Sequence, residues 1–362
     1  MHVLREHKIA SHKITSDKNP RQKEGQIVMI TRRQFMIAAA GGIVWVVAGG
    51  SGERAAMAKQ LNVAQKGRKT KVSLVKTSDR ESGTKKAVEL LGMNPVKGKD
   101  VLLKPNFNTA DPFPGSTHND TLTHLILQLK NMGAKSITIG ERSGPPDTAS
   151  VLKQKRIYDL SKKLGVGLIN FEELPPNGWI RVKPEKSHWR DGFDVAKPIL
   201  DSKCVVTTCC LKTHKYGGVF TMSLKLSVGI THKRDMGELH TSFFSMRKMI
   251  AEINQVYTPS LILLDGIEAF VDGGPMEGPK KRGNVMIAGT DRIAIDAVGL
   301  AILKELGSNK HIMGKKIFEQ EQIARAIELG LGITGPQEIE IIADDSESKK
   351  YVERLAGILL NG

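Results

Sequence analysis

From Lys71 onward the chain alternates short apolar runs rich in β-formers with longer stretches in which apolar residues recur at helical spacing, the pattern of strands joined by crossover helices. Val72 to Val75 (VSLV) and Val101 to Lys104 (VLLK) predict strands, with a helix over Thr84 to Leu91 between them. Asp120 is placed to cap a helix that runs to about Met132, carries Leu122, Leu125, Ile126 and Leu129 on one face, and ends at Gly133. A strand at Ile137 to Gly140, a helix from Thr148 to Leu164 and a strand at Gly167 to Asn170 follow. The alternation then breaks over residues 171–199, where four prolines and two tryptophans predict a β-rich lobe or a long surface loop. It resumes with strands at Val205 to Thr208, Leu261 to Asp265, Val285 to Gly289 and Ile339 to Ile342. Helices are expected near Glu238 to Val256, at Asp291 to Leu306 and at Lys349 to Leu360.

The expected fold class is therefore α/β: a largely parallel, mixed sheet with crossover helices on both faces and a small β-rich or irregular insertion. The α/β domain is expected over residues 59–345, with the insertion at about 171–199, and residues 346–362 form a C-terminal helix packed on the same domain.

Residues 1–58 read differently. A run of 19 uncharged residues from Gln34 to Gly52 follows the pair Arg32, Arg33, and Ala56-Met57-Ala58 supplies a small-x-small cleavage pattern. Thr31-Arg32-Arg33-Gln34-Phe35-Met36 resembles the twin-arginine export consensus, although Ile37 stands where a lysine usually follows. The expectation is a signal peptide cleaved after Ala58, a periplasmic or other extracytoplasmic location, and the twin-arginine translocase as a partner. The alternative is an uncleaved signal that anchors the protein in the membrane. The polar stretch ahead of Met29 makes either Met1 or Met29 the start.

The chain carries 54 basic and 38 acidic residues, and beyond Ala58 there remain 45 against 34, a net +11. Such a balance suits anionic small molecules or surfaces. Export and an aromatic content of 5% argue against nucleic acid, since few stacking platforms remain. Cys204, Cys209 and Cys210 are the only cysteines, too few for a disulfide framework, and no ferredoxin-type CxxCxxC pattern occurs.

In open α/β sheets ligands bind beyond the carboxyl ends of the strands, so polar residues that follow strands are the first candidates. Lys104 and Asn106 follow one strand, and Glu141-Arg142-Ser143-Gly144 follows another. After Val205 to Thr208 come Lys212, Thr213, His214, Ser223 and Lys225 around Gly217-Gly218, a composition that suits an anion: ammonium groups neutralise it and glycine backbone admits its oxygens. Asp265 and Asp291 close apolar strands and Asp296 lies within an apolar helix. Such carboxylates could hold a divalent metal ion or act as a base, while Asp291 is equally placed to cap a helix. Cys204, Cys209, Cys210 and Asp265 are weak metal candidates, because C-x4-CC-x3-H is no recognised ligand spacing. His118 is either a ligand contact or a loop residue.

Seven segments, in order, resemble the domain of unknown function 362 family: VLLKPN from Val101, STHND from Ser116, GERSG from Gly140, LKTH from Leu211, SLKL from Ser223, LDGIEAFVDGGP from Leu264 and AGTDRIAIDAV from Ala288. Cys209 and Cys210 replace a Pro-Lys pair usual in that family, Leu226 an asparagine and Arg292 a proline. The resemblance implies one shared site built from Lys104, Asn106, His118 and Lys212 together with His214, Lys225, Asp265 and Asp296. Family members fused to ferredoxin-like modules imply an iron–sulfur partner protein; the resemblance names no reaction. Two readings stand: an exported enzyme acting on a small anionic substrate, with His214, Asp265 and Asp296 as its acid/base groups, or a non-catalytic binding or accessory protein that handles a metal or iron–sulfur cofactor.

Overall fold

The computed structural model describes residues 69–362. The Arg32-Arg33 motif, the cleavage pattern at Ala58 and the Met29 start lie outside the described residues. The strands are β1 (Thr70–Lys76), β2 (Asp100–Lys104), β3 (Ser136–Glu141), β4 (Gly167–Asn170), β5 (Trp179–Val182) and β6 (Phe193–Ala196). They continue with β7 (Val205–His214), β8 (Val219–Thr221), β9 (Pro259–Phe270), β10 (Lys280–Arg282), β11 (Val285–Gly289) and β12 (Ile339–Ile342).

The main sheet runs β12-β1-β11-β9-β7-β2-β3-β4. Neighbours are parallel except at β11, which is antiparallel to both β1 and β9, so the sheet is mixed with one reversed strand along that path. The short β8 and β10 fold back antiparallel on the ends of β7 and β9.

Alternate side chains of the strands feed hydrophobic cores on both faces, because successive residues of a strand point to opposite sides. On one face Val101 and Leu103 pack with helices Arg80–Leu90 and Asn119–Asn131. On the other, Ile262 and Leu264 pack with helix Arg292–Glu305 and with the C-terminal helix Ser346–Asn361, through Tyr351, Leu355 and Leu359. Helices therefore cover both faces, as the alternating pattern predicts.

Several local expectations are corrected. The strand expected to end at Thr208 continues to His214 and is buried along all ten residues, since it lies between β9 and β2. The segment LKTH is thus strand, not loop. The helix expected over Thr148 to Leu164 is broken into Thr148–Gln154 and Ile157–Leu164 by Arg156 at φ 57°. The helix expected near Glu238 to Val256 is likewise two, Met236–Thr241 and Met246–Ile253. His118, not Asp120, caps Asn119–Asn131: its extended backbone (φ −70°, ψ 139°) lets its own Nδ1 accept the N–H of Asp120 at 3.1 Å. The proline-rich insertion contains a two-stranded antiparallel sheet, β5 with β6, whose Val182, Phe193 and the nearby Trp189 pack on helix Met246–Ile253.

The order of winding positions the site. From β2 the chain moves outward to β3 and then β4, but it returns on the other side of β2 as β7 and proceeds to β9. Connections leave β2 and β7 in opposite directions, which opens a crevice beyond their carboxyl ends.

Candidate functional site

A cavity of about 50 Å³ occupies that crevice, enough for a small carboxylate or a few water molecules. Lys104, the last residue of β2, and Glu141, the last of β3, form its floor, and Lys212 and His214 enter from the end of β7. Lys212 and His214 are two apart on one strand and so share a face, whereas Thr213 between them points away and is not part of the lining. Thr221 of β8 stands opposite Lys212 in register, and the short helix Ser223–Leu226 brings in Lys225. The turn Ser227–Ile230 closes the cavity with Val228 and Gly229.

Two glycines let the lysines come close to the backbone. A Cβ on Gly218 would lie 2.8 Å from Lys225 Cε and 3.0 Å from His214 Nδ1, and one on Gly229 would lie 2.8 Å from Lys104 Nζ.

The charges around the cavity are unequally satisfied. Lys104 and Glu141 form a buried ion pair, and the Glu141 carboxylate also accepts the N–H groups of Phe107 at 2.8 Å and Arg142 at 2.9 Å. Burial lowers the Lys104 pKa while the facing carboxylate opposes that shift. Arg142 donates to the carbonyls of Thr231 (2.7 Å), Ser143 (2.9 Å) and Val228, which fastens the turn over the site; burial lowers its pKa only to about 10, so it stays charged. Lys212 donates to the carbonyls of Gly115 and, at 3.2 Å, Pro275.

Lys225 and His214 are different. Among the described residues Lys225 makes no hydrogen bond or ion pair, and burial, with Lys212 and Arg142 nearby, lowers its pKa to about 8. His214 is held well below the usual histidine range by burial and then by Lys225 and Lys212, so its imidazole is neutral at pH 7. Its buried Nδ1 lacks a partner, as do the buried Asn106 Oδ1 and Thr221 Oγ1 in the same lining. Buried polar atoms are normally paired, so three unpaired ones among the cavity-lining residues are places where water or a polar ligand can bond.

The other residues singled out from the sequence lie outside the cavity lining. Asp265 binds Arg80 Nε at 2.8 Å, Thr121 Oγ1 at 2.5 Å and the N–H of Ile267 at 3.1 Å. Asp296 accepts the N–H groups of Ser223 at 2.7 Å and Leu224 at 3.0 Å, and burial raises its carboxyl pKa to about 7. It holds the helix that carries Lys225. Ser223 and Thr213 are buried with unpaired hydroxyls, and His118 is a helix cap. Asp291 likewise caps helix Arg292–Glu305, accepting the N–H groups of Ala294 at 2.9 Å and Ile333 at 2.8 Å. Cys204, Cys209 and Cys210 are all buried, and burial pushes the Cys209 thiol well up and that of Cys210 to about 11. Adjacent in a strand, Cys209 and Cys210 point to opposite faces. Among the described residues no group of three or more His, Cys, Asp or Glu side chains is arranged to hold a metal ion.

Glu141, Arg142, Asn108 and the Val228-Gly229 turn also line the cavity. The GERSG segment after a strand points to the first two; that Glu141 pairs Lys104 depends on β2 and β3 being neighbours, which periodicity does not reveal.

Fold and site together define an α/β protein with a basic cavity at the carboxyl ends of its parallel strands. The chain matches the family model described as a domain of unknown function (DUF362) over residues 101–301, more than half its length, and belongs to that family. No curated protein matches it in sequence. Among solved structures it is similar to the lactate racemase apoprotein from Thermoanaerobacterium thermosaccharolyticum, at 12% identity and a TM-score of 0.41 over 80% of this chain and 86% of that one. Among the described residues no helix is long and apolar enough to cross a membrane.

Proposed function

We propose that this protein is an exported enzyme acting on a small anionic substrate, with Lys212 and Lys225 attracting the anion and His214 as its acid/base group. One observation carries the reading: Lys225, without a hydrogen bond or ion pair among the described residues, and a neutral imidazole with an unpaired Nδ1 line the same cavity, in a lining where Lys104, Arg142, Lys212 and Lys225 outnumber the single carboxylate of Glu141. A neutral imidazole in such a field accepts a proton readily only when an anion is bound to stabilise the product, which ties its action to occupancy. Asp296 enters this reading as a support through the helix of Lys225, while Asp265, paired with Arg80 outside the cavity lining, has no part in it. An accessory role in metal or iron–sulfur handling has less support, because the cysteines that would serve it are buried in the strand core.

Screening carboxylates and phosphate esters for thermal stabilisation and turnover tests the proposal. An active anion should lose both effects with His214→Ala and Lys212→Met; if both variants respond like the parent, the site assignment fails. The export part of the reading rests on the Arg32-Arg33 motif. N-terminal sequencing of protein recovered from the extracytoplasmic fraction should begin close to Lys59, and recovery of chains that still carry Arg32 would remove cleavage from it.

A further inference from the structure

We propose that Lys225 is a nucleophile that forms an imine with the carbonyl carbon of a small 2-oxo carboxylate, an inference that rests on the anion-site reading above. The three lysines of the cavity divide by what already occupies them. Lys104 is paired with Glu141 and donates to Pro105 O at 2.8 Å. Lys212 gives two of its three protons to Gly115 O and Pro275 O. Lys225 alone is uncommitted among the described residues, and it lines the cavity while its residue is 9% exposed.

The neighbouring groups suit the two ends of such a substrate. Lys212 keeps one proton free, and Thr221, its register partner across β7 and β8, has an unpaired hydroxyl. Together they can hold a carboxylate. Lys225 Cε and His214 Nδ1 flank the position above Gly218, at 2.8 and 3.0 Å from where its Cβ would stand, so the end of the Lys225 side chain and the imidazole are near neighbours. A pKa of about 8 leaves part of the Lys225 population as free amine at neutral pH.

The step balances without any other reactant. The Lys225 nitrogen lone pair bonds to the carbonyl carbon, and the π pair moves to oxygen. His214 Nδ1 accepts one proton from the nitrogen and passes it to the oxygen, which gives a neutral carbinolamine. His214 then takes the second nitrogen proton and delivers it to the departing hydroxyl, so that the C–O bond breaks, one water leaves and the neutral C=N bond forms.

The probe is glyoxylate or pyruvate added to the full-length protein, followed by borohydride reduction and peptide mass mapping. A single reduced adduct on the peptide containing Lys225 is expected, formed faster as pH rises toward 8 and absent without borohydride. Lys225→Arg should lose the adduct. Stabilisation by these anions with no adduct at Lys225 overturns the imine and leaves the anion site standing. Adducts spread over surface lysines, with none at Lys225, overturn it as well. If neither adduct nor stabilisation occurs with these or any screened anion, the imine and the underlying site reading both fall.

Discussion

The carboxylate of Asp296 accepts the backbone N–H of Ser223 at 2.7 Å, and through that bond a residue outside the cavity fixes the first turn of the helix that presents Lys225. Asp296→Ala would leave the buried N–H groups of Ser223 and Leu224 unpaired, each at about 1–3 kcal/mol. Chemical denaturation should show that loss of stability, and anion binding should weaken with it because Lys225 is no longer held. The pH dependence has a definite sign. The Asp296 pKa is raised from 3.8 to about 7, so the folded state retains a proton that the unfolded state releases, and stability attributable to this group falls as pH rises from about 4 through 7. The destabilisation caused by Asp296→Asn is therefore expected to be greater at pH 5 than at pH 8.

Lys104 and Glu141 should behave as a unit. Removing one partner of a buried pair strands a charge at a cost of about 3–5 kcal/mol, whereas removing both leaves none. Urea titrations of Lys104→Met, Glu141→Gln and the double variant should show the double variant less destabilised than the sum of the singles. Strict additivity would mean that the two groups do not interact energetically.

Lys225 is expected to cost stability where it serves function. With its pKa lowered from 10.5 to about 8, the folded state gives up its proton more readily than the unfolded chain. Stability due to this group is therefore lowest below pH 8 and recovers as pH rises toward 10.5. Lys225→Met keeps the apolar stem and removes the charge, so it should stabilise the protein at pH 7 by up to ~3 kcal/mol. Thermal melts at pH 7 and pH 10 check this: the gain should shrink at the higher pH, while anion binding is lost at both.

His214 should remain neutral across the range in which an exposed histidine titrates. Its folded pKa lies well below 6.5, so the unfolded state binds the extra proton and the stability contribution of this group is lost as pH falls below about 6.5. Histidine NMR titration should show its resonances unmoved at pH 6. A bound anion should raise that pKa and bring the transition into view; a free-protein transition near pH 6.5 would contradict the burial argument.

The cysteines should be inert in the folded protein. All three are buried, and the thiol of Cys210 is pushed up to about 11, which leaves almost no thiolate at pH 8. Thiol-reactive dye should label the native protein slowly and modify Cys204, Cys209 and Cys210 promptly in guanidinium. Rapid labelling of a native thiol would show an opening that the fold does not display.

Period and punctuation in the sequence determined most of the architecture. Runs such as VLLK at Val101 to Lys104 and VMIAG at Val285 to Gly289 are apolar enough to be buried on both faces, and the helical stretches between them predict crossovers, so an α/β class follows from local pattern alone. Ordered motifs from VLLKPN to AGTDRIAIDAV carried the family resemblance. Local pattern also placed Lys104, Lys212, His214 and Lys225 at strand ends, and these four line the cavity. Tertiary structure alone decided the rest. Strand order brought β3 beside β2 and gave Lys104 its partner Glu141. The central position of β7 turned an apparent basic loop into a strand whose alternation separates Thr213 from Lys212 and His214. Asp265 and Asp296 look like catalytic carboxylates in one dimension, but packing assigns them to Arg80 and to a helix end. The physical reason is that hydrophobic periodicity records which side of an element is buried, not which distant element lies across from it. The chemistry of a site depends on that second fact.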